Sequence, residues 1–211
     1  MGADLKPLQA WAGAFGDAYT ERNAVTDETV RGRVRLWSEV FARMHGDLPK
    51  SALEVGANVG FNLRALPAVA DMELWAQEPN ASALAQLVAD GVVPPDRALQ
   101  GFAHEIALAD GAVDLVATMA VLIHVHPSLL DRTLDELHRV SSKYIFCAEF
   151  FAQSQEPVTW RGEEGLLHRN DYGGLFMDRF PDLELIDYGF WWRRVTNGGD
   201  CTWWLFRKRH G

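Results

Sequence analysis

The chain has 211 residues, 48% hydrophobic and 23% charged, a balance that suits one globular domain with a sizeable core. Twenty Lys and Arg against 29 Asp and Glu leave a net charge of −9, which sets aside general attraction to nucleic acid or to an anionic membrane. No apolar run reaches the roughly 18 residues that span a bilayer, and "MGADLKPLQA" has no signal-peptide core, so a cytoplasmic protein is expected.

In chain order, the first fifty residues read as a helical cap on a single domain of 1–211. Within "RGRVRLWSEVFARMHGDL", Val34, Trp37, Val40, Phe41 and Met44 share one helical face. Thr26 is placed to cap that helix, with Thr29 too weak to complete a capping box. "SALEV" reads as a strand and "VGFNLRALPAVA" as a helix interrupted near Pro67; "MELWAQ" is a strand and "NASALAQLVADG" a helix closed by Gly91. "RALQGF" and "GAVDLVATM" come next as strands, "PSLLDRTLDELHRVS" as a helix with Pro127 at its start, and "KYIFCAEF" as a strand. Cys147 in that strand and Cys201 further on are expected as buried free thiols. "WRGEEGLLHRNDYG" reads as an irregular polar segment. The end, "LELIDYGFWWRRV", "NGGD", "CTWWLFRKR", predicts two strands joined by a tight Asn-Gly-Gly turn, with the tryptophans packed by period-two alternation. Strand–helix alternation closed by such a reversed pair implies an α/β, mostly parallel Rossmann-like sheet with helices on both faces and a C-terminal antiparallel hairpin.

The turn after the first strand, "EVGANVG", carries the first chemical signal. Gly56 lets backbone approach a ligand at the carboxyl end of the strand, and Gly60 allows the next helix to pack closely on that strand. Asn58 stands where a dinucleotide-binding fingerprint has its second glycine, and Asn tolerates a left-handed turn. The pattern E-x-G-x-x-x-G, through Ala57 and on to Asn62, resembles the first motif of class I methyltransferases. Glu78, 22 residues beyond Gly56 and followed by Pro79, ends the second strand where a carboxylate accepts from both ribose hydroxyls. No acid stands after the third strand. Gly101 holds that position, beside Phe102, which either stacks on adenine or belongs to the core, and the Ala103 amide.

Met119, Ala120 and the residues up to His124 are expected to floor the site where donor meets acceptor. His124 either takes the acceptor's proton, hydrogen-bonds the cofactor carboxylate or fixes a loop; His126 is a weaker candidate for the acceptor side. Glu149 ends the fifth strand and is expected at the same rim as a second catalytic group, facing the acceptor or Arg161 or Arg169. Arg161, His168 and Asp171 are the candidates for the acceptor pocket.

Taken together, the chain resembles class I S-adenosylmethionine-dependent methyltransferases, and more closely the pseudaminic acid biosynthesis-associated methylases. Seven segments in order carry that resemblance: "AFGDAYTERN", "LEVGANVGFNL", "VLIHVHP", "ELHRVSSKYIFCAEFF", "RGEEGLLHRNDYG", "FPDLELIDYGFWWRR" and "TWWLF". It implies methyl transfer from S-adenosyl-L-methionine, with S-adenosyl-L-homocysteine as product, to a sugar-like or other small polar acceptor at O or N. It also implies an N-terminal segment over the cofactor, with Tyr19, Arg22 and Asn23 near its amino-acid end and Arg22 suited to the carboxylate. No metal is called for, and the sequence leaves the oligomeric state open. Two other readings stand beside it: an NAD-dependent oxidoreductase on the same kind of sheet, and a non-catalytic module serving a partner protein.

Overall fold

The computed structural model describes residues 5–160, 162–196 and 199–209. The cap comprises three helices, α1 (Leu5–Ala12), α2 (Ala14–Arg22) and α3 (Asp27–Ala42). Thr26 caps α3 as expected, and Thr29 does complete a capping box: its hydroxyl accepts from the Thr26 N–H at 2.9 Å, while Thr26 Oγ1 accepts from the Thr29 N–H. A threonine hydroxyl reaches far enough to do what Glu or Gln does in the commoner box.

The sheet begins with β1 (Ser51–Val55) and β2 (Glu73–Glu78), followed by α4 (Ala81–Ala89), β3 (Ala98–Gln100) and β4 (Val113–Met119). Then come α5 (Pro127–Val140), β5 (Ser141–Glu149), β6 (Glu156–Trp160), β7 (Glu163–Arg169), α6 (Tyr172–Arg179), β8 (Leu183–Trp191), α7 (Arg193–Thr196) and β9 (Cys201–Lys208). Seven strands lie in the order β3-β2-β1-β4-β5-β9-β8, with β9 antiparallel to both of its neighbours and the other pairs parallel. The order reverses between β1 and β4, the place where open α/β sheets bind their ligands.

The two faces of the sheet carry separate cores. Trp37 and Phe41 of α3 pack with Phe146, Trp203 and Leu205 on one face. Leu134 and Leu137 of α5 and Phe176 of α6 pack with Leu53, Trp204 and Phe206 on the other. Successive residues of "TWWLF" therefore serve opposite cores, as strand geometry requires.

Three local expectations are corrected. The stretch after Gly60 is a run of turns ending in a 3-10 turn at Leu66–Ala68 rather than an α-helix. Pro67 cannot donate to a helical ladder, and the Arg64 side chain donates to the Val59 carbonyl at 3.0 Å. The segment read as irregular folds largely as a two-stranded hairpin, β6 with β7, because Val158 and its partner Leu167 supply an apolar face to the second core, while Leu166 is buried on the opposite face. The final strands are joined by more than a tight turn, since α7 intervenes after Trp191; Asn197 and Gly198 lie outside the described residues. Cys147 and Cys201 are free and buried.

Candidate functional site

A cavity of about 1260 Å³ opens at the carboxyl ends of β1, β2 and β4, covered by α1, α2 and α3. It exceeds the range of roughly 300–1,000 Å³ usual for one small ligand, so it has room for a donor and an acceptor together.

Its floor is the turn after β1. Gly56 has φ +72°, and its N–H donates to the Gln77 carbonyl at 2.8 Å, tying the turn to the end of β2. A Cβ there would lie 2.5 Å from Val121 Cγ2, on the loop after β4, so only glycine satisfies both the backbone and the wall. Asn58 has φ +48°, the left-handed conformation that Asn tolerates. Gly60 packs against Leu87 of α4 and against Val92, where a Cβ would sit 3.1–3.2 Å from their carbons.

Glu78 is buried at 5% exposure and lines the cavity. Its Oε2 accepts from the Asn58 N–H at 2.7 Å and its Oε1 from the Asn80 N–H at 2.9 Å, while burial pushes its pKa up. An ionised carboxylate offers about four acceptor positions. Two hold the surrounding loops and two remain for a diol. Pro79 and Ala57 line the same wall. Around the third-strand loop, Gln77 Nε2 donates to the Phe102 carbonyl at 2.7 Å and to the Glu105 carbonyl at 3.1 Å. Phe102 lines the cavity with Gly101 and Ala103, and its ring stacks on His104, so it is not absorbed into the core.

Two further groups emerge that sequence reasoning left out of the site. Glu54 is 5% exposed; Asn62 Nδ2 donates to its Oε1 at 2.5 Å, and Asn62 in turn accepts from Trp37 Nε1 at 3.2 Å. Glu54 Oε2 is buried with no hydrogen-bond partner, and desolvation raises the carboxyl pKa to about 7. The acid of E-x-G was the available signal. Asn62 is thus a holder of Glu54. Arg33 of α3 also lines the cavity; its guanidinium lies against the Met119 sulfur, a weak acceptor. No sequence signal set Arg33 apart from the other arginines of its helix.

The cap closes over this floor. Asn58 Nδ2 donates to Thr20 Oγ1 at 2.8 Å, and Asn80 Nδ2 donates to Asp17 Oδ1 at 2.8 Å. Tyr19, Arg22 and Asn23 line the cavity, and Asn23 Nδ2 donates to the Tyr19 carbonyl at 2.7 Å. Ala120, at φ +56°, carries the chain from β4 into the loop below.

His124 stands in that loop beside the cavity. Its Nδ1 is 2.6 Å from the Leu166 carbonyl, which can only accept, so Nδ1 carries the hydrogen and Nε2 keeps a lone pair. Desolvation depresses its pKa to about 4, leaving the ring neutral at pH 7. Trp11 and Trp160 flank it with ring centroids 4.5 and 5.0 Å away. Trp11, from α1, is an aromatic wall that no motif or spacing marked out.

Glu149 is corrected. It is fully buried and does not line the cavity, and Arg169 pairs with Glu156 instead; Arg161 lies outside the described residues. Its Oε1 accepts from Thr118 Oγ1 at 2.9 Å and from the Val121 N–H at 3.3 Å, and its Oε2 from the Ile123 N–H at 3.4 Å. It braces the His124 loop from behind, with desolvation raising its pKa to about 7.

The expected acceptor set separates in space. His126 lines the cavity, but its ring also caps α5 through the Ser128 N–H. His168 is 9% exposed and lies behind the cavity wall, where its ring meets His126 edge-on. Asp171 caps α6, accepting from the Gly174 N–H at 2.9 Å, and borders a separate shallow cleft. His168 lies on β7 and Asp171 at the start of α6. Among the described residues, no group of three or more His, Cys, Asp and Glu side chains is placed to hold a metal ion. None of the described helices is long and apolar enough to cross a membrane.

Residues 53–144 match the family model described as a methyltransferase domain. Among solved structures, an S-adenosylmethionine-dependent methyltransferase from Leishmania major is similar at 16% identity and a TM-score of 0.72, covering 97% of this chain and 88% of that one. Magnesium protoporphyrin IX methyltransferase from Synechocystis with bound S-adenosylmethionine aligns at 8% identity and a TM-score of 0.68, over 99% and 98% of the two chains. A Burkholderia thailandensis 1,6-didemethyltoxoflavin N1-methyltransferase aligns at 16% and 0.65, over 93% and 86%. Among curated proteins none matches this sequence. The chain has the class I methyltransferase fold, and the stretch that matches the methyltransferase-domain model holds the β1 turn, Glu78 and the β4 loop of the cavity.

Proposed function

We propose that this enzyme transfers the methyl group of S-adenosyl-L-methionine to an oxygen or nitrogen of a small acceptor. The observation that carries the reading is Glu78, a buried carboxylate at the end of β2 with two acceptor positions left facing the cavity. The other groups fit the donor as well. An orphaned carboxylate oxygen on Glu54 suits an ammonium, and the guanidinium of Arg33, which lies against the Met119 thioether and within electrostatic reach of Glu54, suits a carboxylate. Arg22 flanks the same cavity and supports the same charge. Gly56, Ala57 and Asn58 form the floor below a nucleoside, with Phe102 and the Ala103 amide toward its base.

When bound, the cofactor supplies a methyl group already activated on a sulfonium and leaves as neutral S-adenosyl-L-homocysteine. The chain must align a nucleophile at about 3 Å and exclude water. Trp11, Trp160 and the cap helices exclude the water. His124 Nε2 accepts the acceptor's proton as the new bond to carbon forms, and the Leu166 carbonyl, already bonded to Nδ1, steadies the resulting cation. Glu149 is a positioning residue, holding the 121–123 backbone that carries His124.

The resemblance to pseudaminic acid-associated methylases supports a sugar-like acceptor. The test of the chemistry is His124→Ala. Turnover is expected to fall 100-fold or more, in the range of about 10²–10⁴ for a general base, while S-adenosyl-L-homocysteine affinity stays within a few-fold. Equal turnover in the variant removes His124 from the mechanism.

A further inference from the structure

Helix α3 runs antiparallel to β8, and their facing side chains are matched rung by rung. Arg43 Nε meets Asp187 Oδ2 at 2.6 Å, and one turn earlier Glu39 Oε2 accepts from Trp191 Nε1 at 3.0 Å. Continuing toward the start of α3 brings Arg35, then Arg31, each a turn of about 6 Å further along. Here the matching stops. Neither arginine makes a hydrogen bond or ion pair among the described residues, and both line the main cavity.

Across from them, at the end of β8 and just beyond it, the chain presents Phe190, Trp192 and Val195, exposed at 61%, 50% and 77% yet bordering the same cavity. Arg194 adds a third cation, 5.5 Å above the Trp192 ring. The nearby acids do not neutralise this mouth. Glu39 is held by Trp191 and Arg43, and Asp200 by Arg193; among the described residues Asp27 and Glu28, in the first turn of α3, are the acids left near Arg31, and of these two Glu28 lines the cavity. Like charges four residues apart on a helix repel one another. In a chain of net charge −9, such a pair beside an apolar rim is a local inversion of the molecular field.

We infer that this mouth is the acceptor's entry and that the acceptor is an amphiphilic acid, its carboxylate or phosphate held by Arg31 and Arg35 and its apolar part laid against Phe190, Trp192 and Val195. The inference rests on the methyltransferase reading above and names the acceptor class for it. Arginine suits both anions because its planar fork donates two parallel hydrogen bonds. Exposed aromatic side chains at a cavity mouth gain from covering an apolar ligand what they lose by facing water.

The experiment is calorimetric titration of the S-adenosyl-L-homocysteine complex with 4-hydroxyphenylacetate and phenyl phosphate, each against 4-hydroxyphenylacetamide. At least one acid is expected to bind tenfold or more tighter than the amide, and which acid wins separates the carboxylate from the phosphate. In the doubly substituted Arg31→Gln, Arg35→Gln protein that preference should disappear while S-adenosyl-L-homocysteine affinity stays within twofold, which also shows that the variant is folded. Equal binding of acids and amide, no binding of any, or an acid preference that survives the double substitution overturns the acceptor assignment and leaves the donor site standing. Failure of S-adenosyl-L-homocysteine itself to bind overturns the methyltransferase reading and this inference with it.

Discussion

Glu54 shows how a single buried side chain can hold both a structural and a ligand-binding role. Asn62 secures one carboxylate oxygen and leaves the other without a partner, and desolvation brings the pKa to about 7. If the free oxygen receives the donor's ammonium, binding requires the ionised form. The folded pKa lies above the ordinary carboxylate value, so the group is largely protonated at pH 6 and ionised at pH 8. S-adenosyl-L-homocysteine affinity should therefore rise roughly tenfold between those pH values. In Glu54→Gln the slope should vanish, leaving a weaker, flat profile. Calorimetry at pH 6, 7 and 8 checks it, and a wild-type affinity independent of pH would count against the assignment. Burial raises the Glu78 pKa too, but there two backbone N–H donors oppose the shift by favouring the charged form.

At the scale of elements, the first two cap helices, α1 and α2, are fastened to the site by polar contacts and stand outside both cores, whereas α3 packs into one of them. Among the described residues, none of α1 or α2 belongs to either buried cluster, whereas Asp17–Asn80 and Thr20–Asn58 link α2 directly to the cofactor loops. Gly16 is the point of closest approach, where a Cβ would lie 2.1 Å from the Trp11 carbonyl oxygen and 2.9 Å from Asn80 Nδ2. Gly16→Val should therefore prevent the cap from seating. Donor affinity is expected to fall about tenfold or more, while the urea midpoint of the main transition moves little, since the cores are untouched. A variant with full affinity would show that the cap is not needed to hold the donor. The sequence made β1, β2, β4, α5 and β5 legible because each is a periodic apolar run with a clear boundary residue, such as Pro127 or Gly56. It also placed Glu78 and His124 beside one cavity, since both come after strand ends. It misplaced Glu149 because a strand-end carboxylate looks the same in sequence whether it turns outward to a ligand or backward to Thr118 and the 121–123 amides. His168 and Asp171 were misplaced for a related reason: their positions depend on how β6 and β7 pair, a long-range event that local polarity does not encode.

For the molecule as a whole, the sheet order puts the reversal point between β1 and β4, and every group proposed to touch the donor converges there from separate segments of the chain. Such a site exists only in the folded state, so its ligand should stabilise the whole domain in proportion to RT ln(1 + [L]/Kd). The same convergence lets one carboxylate report on the entire assignment. The most direct measurement is calorimetric titration of S-adenosyl-L-homocysteine into the intact protein and into Glu78→Ala. One site per chain is predicted for the parent, with affinity at least tenfold weaker in the variant through loss of the diol contacts. No binding to the parent, or an unchanged affinity in Glu78→Ala, would contradict the account.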